Sequence, residues 1–315
     1  MIITNLLFFG LSTLVMIISS IFLVKSLDKI ATFLRIAEYT AAFIIMAVAT
    51  SLPELFVGIS SALIGLPSLS LGNIIGANII DITLIMGIFV LMGRGITVKK
   101  ERTGKDIYFV LGSIILFIIL FFIGNSLSRV DGAILILLFV INSVRMIKKR
   151  KKYSLKYIPQ KRSKRLDIIT AVLIFIFSLA TLFITSKFVV GYASIFAEEL
   201  KVPPIFIGLF LLSFATTLPE MIFGIQAIKT QHKSMAIGDQ TGTIFVNMTL
   251  ILGVVALISP IETTLTPFFV SAIFLFVSTF IFVTFVKSEH KLTIWEGLSL
   301  IFIYILFIIL EFFAK

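Results

Sequence analysis

Long apolar stretches constrain this chain more than any other feature. Of its 315 residues, 59% are hydrophobic, including 33 phenylalanines, whereas a soluble domain is about 45–50% apolar. A helix needs about 20 apolar residues to cross the hydrocarbon core of a bilayer. The sequence therefore predicts an all-α membrane protein with ten transmembrane helices. The predicted spans are 5–24, 39–65, 68–92, 106–124, 130–147, 167–189, 203–228, 234–258, 267–286 and 294–312.

The second and third spans recur in the seventh and eighth at a constant offset of 166 residues. "ATSLPE" at 49–54 returns as "ATTLPE" at 215–220, and several glycine and threonine positions of the following span also return. The copies begin five spans apart, an odd number, so they cross the membrane in opposite senses. Inverted repeats of this kind organise many secondary transporters. The predicted domains are a five-helix repeat over 1–147, a basic cytoplasmic linker over 148–166 and an inverted five-helix repeat over 167–315.

The distribution of basic residues predicts the orientation. When loops are assigned alternately to two faces, one face holds all of the 27 Lys and Arg residues except Arg129, Lys187, Lys201 and Lys315. The positive-inside rule places that face in the cytoplasm and both termini outside the cell membrane. The basic cluster at 148–165 is interpreted as a topogenic loop that contacts lipid headgroups, and a nucleic-acid partner is not expected. The first apolar run has no basic residues before it and is predicted to be a retained helix.

Each copy places a proline beside a glutamate in the middle of an apolar span. Pro53 and Pro219 lack a backbone donor and clash with the carbonyl four residues back. The second and seventh helices are therefore predicted to break near the midplane and to free carbonyls near Ala49 and Ala215. Non-helical backbone is tolerated at this depth only where it lines a cavity or binds a ligand. The neighbouring hydroxyls belong to Thr50, Ser51, Thr216 and Thr217. Such oxygen donors suit hard cations, and without cysteine there is no thiolate site.

Four carboxylates lie deep inside predicted spans, where no Lys, Arg or His lies: Glu54, Asp81, Glu220 and Asp239. A charge at the bilayer centre costs about 2.5–3.5 kcal/mol on insertion scales, so bound cations or protons have to compensate it. Asp81 and Asn247 each follow the glutamate of their own copy by 27 residues. The equal spacing predicts that Glu54, Asp81, Glu220 and Asn247 meet at one centre. The alternatives are idle, protonated acids, and an interhelical role for Asn78 and Asn247.

The two copies resemble the α-repeats of the calcium/cation antiporter superfamily, most of all its prokaryotic sodium/calcium exchanger branch, with a divergent second repeat. "TSLPE" followed by "GNIIGAN" carries the resemblance in the first copy, and "TTLPE" followed by "GDQTG" carries it in the second. The resemblance implies a diamond of cation sites between helices two, three, seven and eight, and sliding of helices one and six as a gate. It implies that Glu54 and Glu220 bridge Ca²⁺ and Na⁺. The further implied ligands are the hydroxyls of Ser51 and Thr217 and the carbonyls of Ala47, Thr50, Ser213 and Thr216.

Some residues depart from the pattern of that superfamily. The usual Asn of the first copy and the usual Asp of the second are exchanged, as Asp81 and Asn247, which preserves the charge. Thr243 stands at the usual serine of the second copy, whereas the first copy has Ala77 there. Asp239 replaces an asparagine whose counterpart, Asn73, is retained. Asp239 is therefore predicted to add charge to the cation site, to bind a proton or to face a watery passage.

The sequence thus predicts a secondary antiporter that exchanges Ca²⁺ for Na⁺ by alternating access. It predicts no resident cofactor, no obligate protein partner and a monomer in the membrane. An H⁺-coupled antiporter for Ca²⁺ or another divalent cation is the alternative, followed by a cation channel. An enzyme is not expected, because both histidines fall in loops and "AIGD" lacks the first glycine of a Gly-x-Gly-Asp protease pattern.

Overall fold

The computed structural model describes residues 2–33, 46–97, 106–150, 165–263, 265–288 and 291–313. Most of the predicted linker and the beginning of the predicted second span lie outside the described residues. Within these ranges the fold is all-helical, and eight helices are long and apolar enough to cross a membrane. Two further helices, Leu52–Leu63 and Arg129–Arg150, bring the number of membrane-crossing candidates to between eight and ten.

The helices follow one another with short connections. Their bounds are α1 Ile2–Phe33, α2 Ala47–Thr50 and Leu52–Leu63, α3 Pro67–Met92, α4 Asp106–Gly124, α5 Arg129–Arg150, α6 Arg165–Glu199, α7 Pro204–Lys229, α8 Lys233–Val246 continuing to Leu252–Ile258, α9 Leu265–Ser288 and α10 Ile294–Phe313. Two short strands, β1 (Ile96–Thr97) and β2 (Lys291–Leu292), pair antiparallel and join the end of α3 to the start of α10. The helices α1 and α6 extend well beyond their predicted apolar ends, because a helix satisfies its own backbone in water as well as in lipid.

Two π-helical turns interrupt α3 and α8 at repeated positions. They span Asp81–Ile85 and Asn247–Ile251, so each begins at a predicted site residue. Inside each turn a threonine hydroxyl donates to the carbonyl four residues back, from Thr83 to Ile79 and from Thr249 to Phe245. Such back-bonding competes with the helical ladder and bends helices, and π turns are frequent at functional sites.

The predicted helix breaks differ between the copies. The first is confirmed, because α2 stops at Thr50 and resumes at Leu52, beside Pro53. The second is wrong, because α7 continues through Pro219 and has its irregular π turn earlier, at Gly208–Leu212. A proline removes only one donor from the ladder, so the turns on either side of it stay helical.

The Ala49 carbonyl loses its helical partner, as predicted, because Pro53 has no N–H, but another N–H takes that place. Backbone N–H groups at the C-terminal cap of the first α2 segment reach the carbonyls of Ala47 and Ala49. The chain turns tightly at Ser51, whose N–H lies 3.1 Å from the Ala47 oxygen. Both carbonyls therefore accept hydrogen bonds within the turn.

Glycines let α3 and α7 approach with their backbones in contact. A Cβ at Gly76 would collide with the Leu209 carbonyl and lie 2.7 Å from Ser213 Oγ. A Cβ at Gly208 would lie 2.7 Å from the backbone nitrogen of Asn73. Small residues permit this close approach between membrane helices, and here they bring the polar segments of two helices together.

A valine at Gly76 is expected to destabilise the protein, because the α3 and α7 backbones would have to separate. Overpacking of this kind costs about 1–3 kcal/mol, which corresponds to a fall in melting temperature of about 5 °C. Thermal unfolding of the purified protein in detergent measures the effect. Gly112→Val on α4 is the control, because a Cβ there meets nothing within 4 Å. Equal melting temperatures for the two variants would contradict the close packing.

The apolar core divides into two clusters. The larger joins buried side chains of α2 to α5 with those of α7 to α10 and contains none from α1 or α6. The smaller consists of α1 and α6, packed along each other and against one side of α2, α3 and α7. The α1–α6 pair is thus an element with its own apolar interface to the rest of the molecule.

Candidate cation-binding site

The four deep acids all lie in the interior of the protein. Glu54, Asp81, Glu220 and Asp239 have no solvent-exposed surface, and they come from α2, α3, α7 and α8. Among the described residues, no hydrogen-bond partner reaches either oxygen of Glu54, Asp81 or Glu220, or Oδ2 of Asp239. A basic side chain would be such a partner. Within the described part of the chain, these carboxylates therefore have no compensating charge at hydrogen-bond distance.

The acids are also close enough to act on one another. Asp81 interacts electrostatically with Glu54 and Asp239, and Glu220 interacts with all three other acids. Glu54 lies in the first turn of its α2 segment, where the helix dipole favours a negative group. Mutual repulsion of this kind is relieved when a cation enters between the carboxylates.

The acids do not form a compact ligand cluster by themselves. Within the part of the chain that the structure describes, no three or more acidic or histidine side chains are close enough to hold a metal ion alone. A cation at this centre has to take other ligands from hydroxyls, amides or backbone carbonyls. Such neutral oxygens are available on all four helices and suit Na⁺ and Ca²⁺.

Two threonine contacts link the copies across the centre. The hydroxyl of Thr216 on α7 donates to Oδ1 of Asn73 on α3, at 3.1 Å. The hydroxyl of Thr50 on α2 lies 3.4 Å from Oδ1 of Asp239 on α8. The two pairs stand at equivalent positions of the repeat, so each threonine beside a Pro-Glu pair contacts the opposite copy. Thr216 also lies near the Glu54 carboxylate, although its hydroxyl is directed to Asn73.

The predicted asparagine positions meet each other directly. Nδ2 of Asn247 donates to Oδ1 of Asn78 at 3.0 Å, which joins α8 to α3. The interhelical alternative for these residues is thus present in the structure. Oδ1 of Asn247 has no partner among the described residues, so the same side chain can both hold the helices and offer an oxygen to a cation.

The remaining predicted ligands fall into two groups. Ser51 Oγ is buried and has no partner in the described part of the chain, so it is available to an ion. Three other predicted ligands, Thr217 and the carbonyls of Ala47 and Ser213, already make hydrogen bonds. Thr217 donates its hydroxyl to the Ser213 carbonyl at 2.9 Å, and the Ala47 carbonyl accepts the Ser51 N–H. Each carbonyl oxygen keeps a second lone pair, which leaves room for a cation.

Two buried side chains that have both polar atoms unpartnered in the described structure were not predicted. Gln240 on α8 has both amide atoms without a partner among the described residues, and Glu311 on α10 has both carboxylate oxygens in the same situation. Gln240 stands where the first copy has Ile74, and this substitution is the signal that could have revealed it. Glu311 lies at the end of its predicted span, where an acid normally reaches the interface.

Comparison with known proteins shows the family to which the chain belongs. The family model for the sodium/calcium exchanger protein matches residues 4–148 and 170–313. Sodium/calcium exchanger MaX1 of Methanosarcina acetivorans is 26% identical in an alignment that covers 99% of this chain and 100% of MaX1. Inner membrane protein YrbG of Escherichia coli is also 26% identical, with 80% of this chain and 81% of YrbG covered.

The fold has a close counterpart among solved structures. The sodium-calcium exchanger NCX_Mj, soaked with Na⁺ and Sr²⁺, superposes with a TM-score of 0.70 and 24% identity, and the match covers 98% of this chain and 99% of NCX_Mj. The resemblance derived from the two repeats is confirmed. This chain belongs to the sodium/calcium exchanger protein family.

Proposed function

We propose that the chain is a secondary antiporter that exchanges Ca²⁺ for Na⁺ across the cell membrane by alternating access. The observation that carries this function is the group of four buried carboxylates from four helices, which have no basic partner within hydrogen-bond distance among the residues that the structure describes. Membership of the exchanger family supports the same reading, as does the name of MaX1. The ions are transported substrates, so the site needs no resident cofactor.

In this mechanism Na⁺ and Ca²⁺ compete for overlapping oxygen sites around Glu54 and Glu220. The carbonyls of Thr50 and Thr216 complete the Ca²⁺ shell. Asp81, Asn247, Ser51, Thr217 and Thr243, with the carbonyls of Ala47 and Ser213, supply the surrounding donors. Bound cations neutralise the acids and lower the cost of moving the loaded site between inward-open and outward-open states. The empty, charged site is held in place, which makes exchange obligatory.

The proposed architecture has ten transmembrane helices in two inverted repeats, over 1–147 and 167–315, joined by the cytoplasmic linker 148–166. It is supported by element bounds that recur at the repeat offset. Pro67–Ile80 with its π turn corresponds to Lys233–Val246 with its π turn. Both termini then lie outside the cell, and a single chain contains the whole site.

The proposed gate is the α1–α6 pair, which slides over the remaining helices to open the site to either side. The separate apolar cluster of α1 and α6 supports this role. Hydrophobic contact is non-directional, so an interface that is mainly apolar can change register at low cost. The hydrogen bond between the Ser60 and Ser186 hydroxyls, at 3.0 Å, crosses it and has to break for α6 to slide. The polar contacts of the cation centre described above come from α2, α3, α7 and α8, and such directional contacts resist sliding.

Flux into liposomes tests the function. Purified protein is reconstituted with Na⁺ inside, and ⁴⁵Ca²⁺ uptake is measured on dilution into Na⁺-free buffer at equal pH. Rapid uptake is expected, and a Na⁺ ionophore is expected to abolish it. A parallel arm imposes only a pH gradient, because the fourth acid, Asp239, favours H⁺ coupling as the second candidate. Uptake driven by the pH gradient alone would contradict Na⁺ coupling, and uptake with no gradient would indicate a channel.

A further inference from the structure

The two copies differ in charge at one pair of equivalent positions. Thr216 contacts the amide of Asn73, whereas Thr50 contacts the carboxylate of Asp239. An amide oxygen therefore lies beside the threonine hydroxyl in one copy where a carboxylate lies beside it in the other. The Thr50 hydroxyl is closer, at 3.0 Å, to the Met46 carbonyl oxygen, so Asp239 does not depend on it as a donor. The interhelical contact does not need the negative charge of Asp239. The charge therefore has another role.

No described group around Asp239 explains why this position carries a negative charge. The side chain is fully buried and its Oδ2 has no hydrogen-bond partner among the described residues. A buried carboxylate without a partner costs several kcal/mol. A second hydroxyl, Thr243 Oγ1, lies 3.3 Å from Thr50 Oγ1. One carboxylate and two hydroxyls thus stand together as hard oxygen donors on α2 and α8.

We propose that Asp239, Thr50 and Thr243 bind one additional Na⁺ when the exchanger is in its Na⁺-loaded state. This inference rests on the proposed exchange of Na⁺ for Ca²⁺. A single carboxylate with neutral hydroxyls matches a monovalent charge. Only the Thr50–Asp239 pair carries such a site, because Asn73 gives the mirrored position beside Thr216 no charge.

Binding of Ca²⁺ empties this site. Asp239 interacts electrostatically with Asp81 and Glu220, so a divalent ion held by Glu220 repels a monovalent ion at Asp239. Thr50 also belongs to both places, through its hydroxyl at Asp239 and its carbonyl at the proposed Ca²⁺ shell. One more Na⁺ is therefore displaced per Ca²⁺ than the centre around Glu54 and Glu220 would release alone.

Equilibrium linkage tests the inference without transport. Ca²⁺ affinity of the purified protein is measured by calorimetry over a series of Na⁺ concentrations, and the slope of log Kd against log Na⁺ concentration gives the number of Na⁺ ions displaced. In Asp239→Asn the slope is expected to fall by about one. The double variant Asn73→Asp with Asp239→Asn, which moves the acid to the mirrored position, is not expected to restore it, because Ala77 there takes the place of Thr243 and leaves the acid beside one hydroxyl only. Full restoration would contradict Thr243 as a ligand.

The outcomes separate this inference from the function on which it rests. An unchanged slope in Asp239→Asn overturns the inference. If this variant also releases one proton fewer per Ca²⁺ than the wild type, Asp239 binds a proton and not Na⁺. A wild-type slope of zero instead contradicts Na⁺/Ca²⁺ exchange itself. If Asp239→Asn fails to fold, Asp239→Ser serves instead, because it removes the charge and keeps an oxygen beside Thr50. Its slope is also expected to fall by about one, and an unchanged slope overturns the inference.

Discussion

Replacing Glu54 or Glu220 by glutamine is expected to abolish Ca²⁺ transport and leave the protein folded. Two unit charges about 4 Å apart attract by about 4 kcal/mol at an effective dielectric constant of 20, and each 1.4 kcal/mol is a factor of ten. Loss of one carboxylate is therefore expected to weaken Ca²⁺ binding by at least about a hundredfold. Glutamine has nearly the same shape, and no hydrogen bond to the carboxylate is lost, since none is made in the described structure.

The measurement is ⁴⁵Ca²⁺ uptake in the liposome assay, with calorimetry for affinity and thermal unfolding for the fold. The matched control is Glu311→Gln, which neutralises another fully buried glutamate whose oxygens have no partner in the described residues. Because Glu311 lies on α10, outside the four helices of the site, its variant is expected to transport normally. Full exchange activity in either Glu54→Gln or Glu220→Gln would contradict the assignment of these acids.

A reversible disulfide between α2 and α6 is expected to stop transport. Ser60 Oγ and Ser186 Oγ lie 3.0 Å apart, on opposite sides of the interface between the proposed gate and the rest of the protein. Cysteines at both positions are within reach of a disulfide, which needs a short separation of the two Cβ atoms. The chain has no cysteine of its own, so no other pair competes. If α6 slides during exchange, the bond holds the site open to one side only.

Transport by Ser60→Cys with Ser186→Cys is measured after oxidation and again after reduction with dithiothreitol. Activity is expected to be lost on oxidation and recovered on reduction. Each single cysteine variant, treated with the same oxidant, is expected to keep its activity. Normal exchange by the fully oxidised double variant would contradict a sliding α6, even if Ca²⁺ transport itself were established.

The sequence predicted the site more fully than it predicted the local backbone. Glu54, Asp81, Glu220 and Asp239 were identified because a membrane interior makes an uncompensated acid conspicuous, and all four are buried. The π turns at Asp81 and Asn247 were not predicted, since Thr83 and Thr249 look like ordinary helix residues until their hydroxyls are seen to compete for carbonyls. The break at Pro219 was predicted wrongly for a similar reason. A proline signals a lost donor, and the packing around it decides whether the helix ends.

The sequence alone determined that this chain crosses a membrane, that two of its helices recur at a fixed offset, and that four deep acids lack basic partners at their depth. These properties depend on composition and spacing, which a linear chain already contains. Only the tertiary structure decided which groups face each other. The Thr50–Asp239, Thr216–Asn73 and Asn247–Asn78 contacts join residues 189, 143 and 169 positions apart. The rotation of each helix about its axis and its depth in the membrane set those contacts. In a helix that is apolar on nearly every face, the sequence pattern determines neither of them. The glycine contacts between α3 and α7 select one packing of the folded chain.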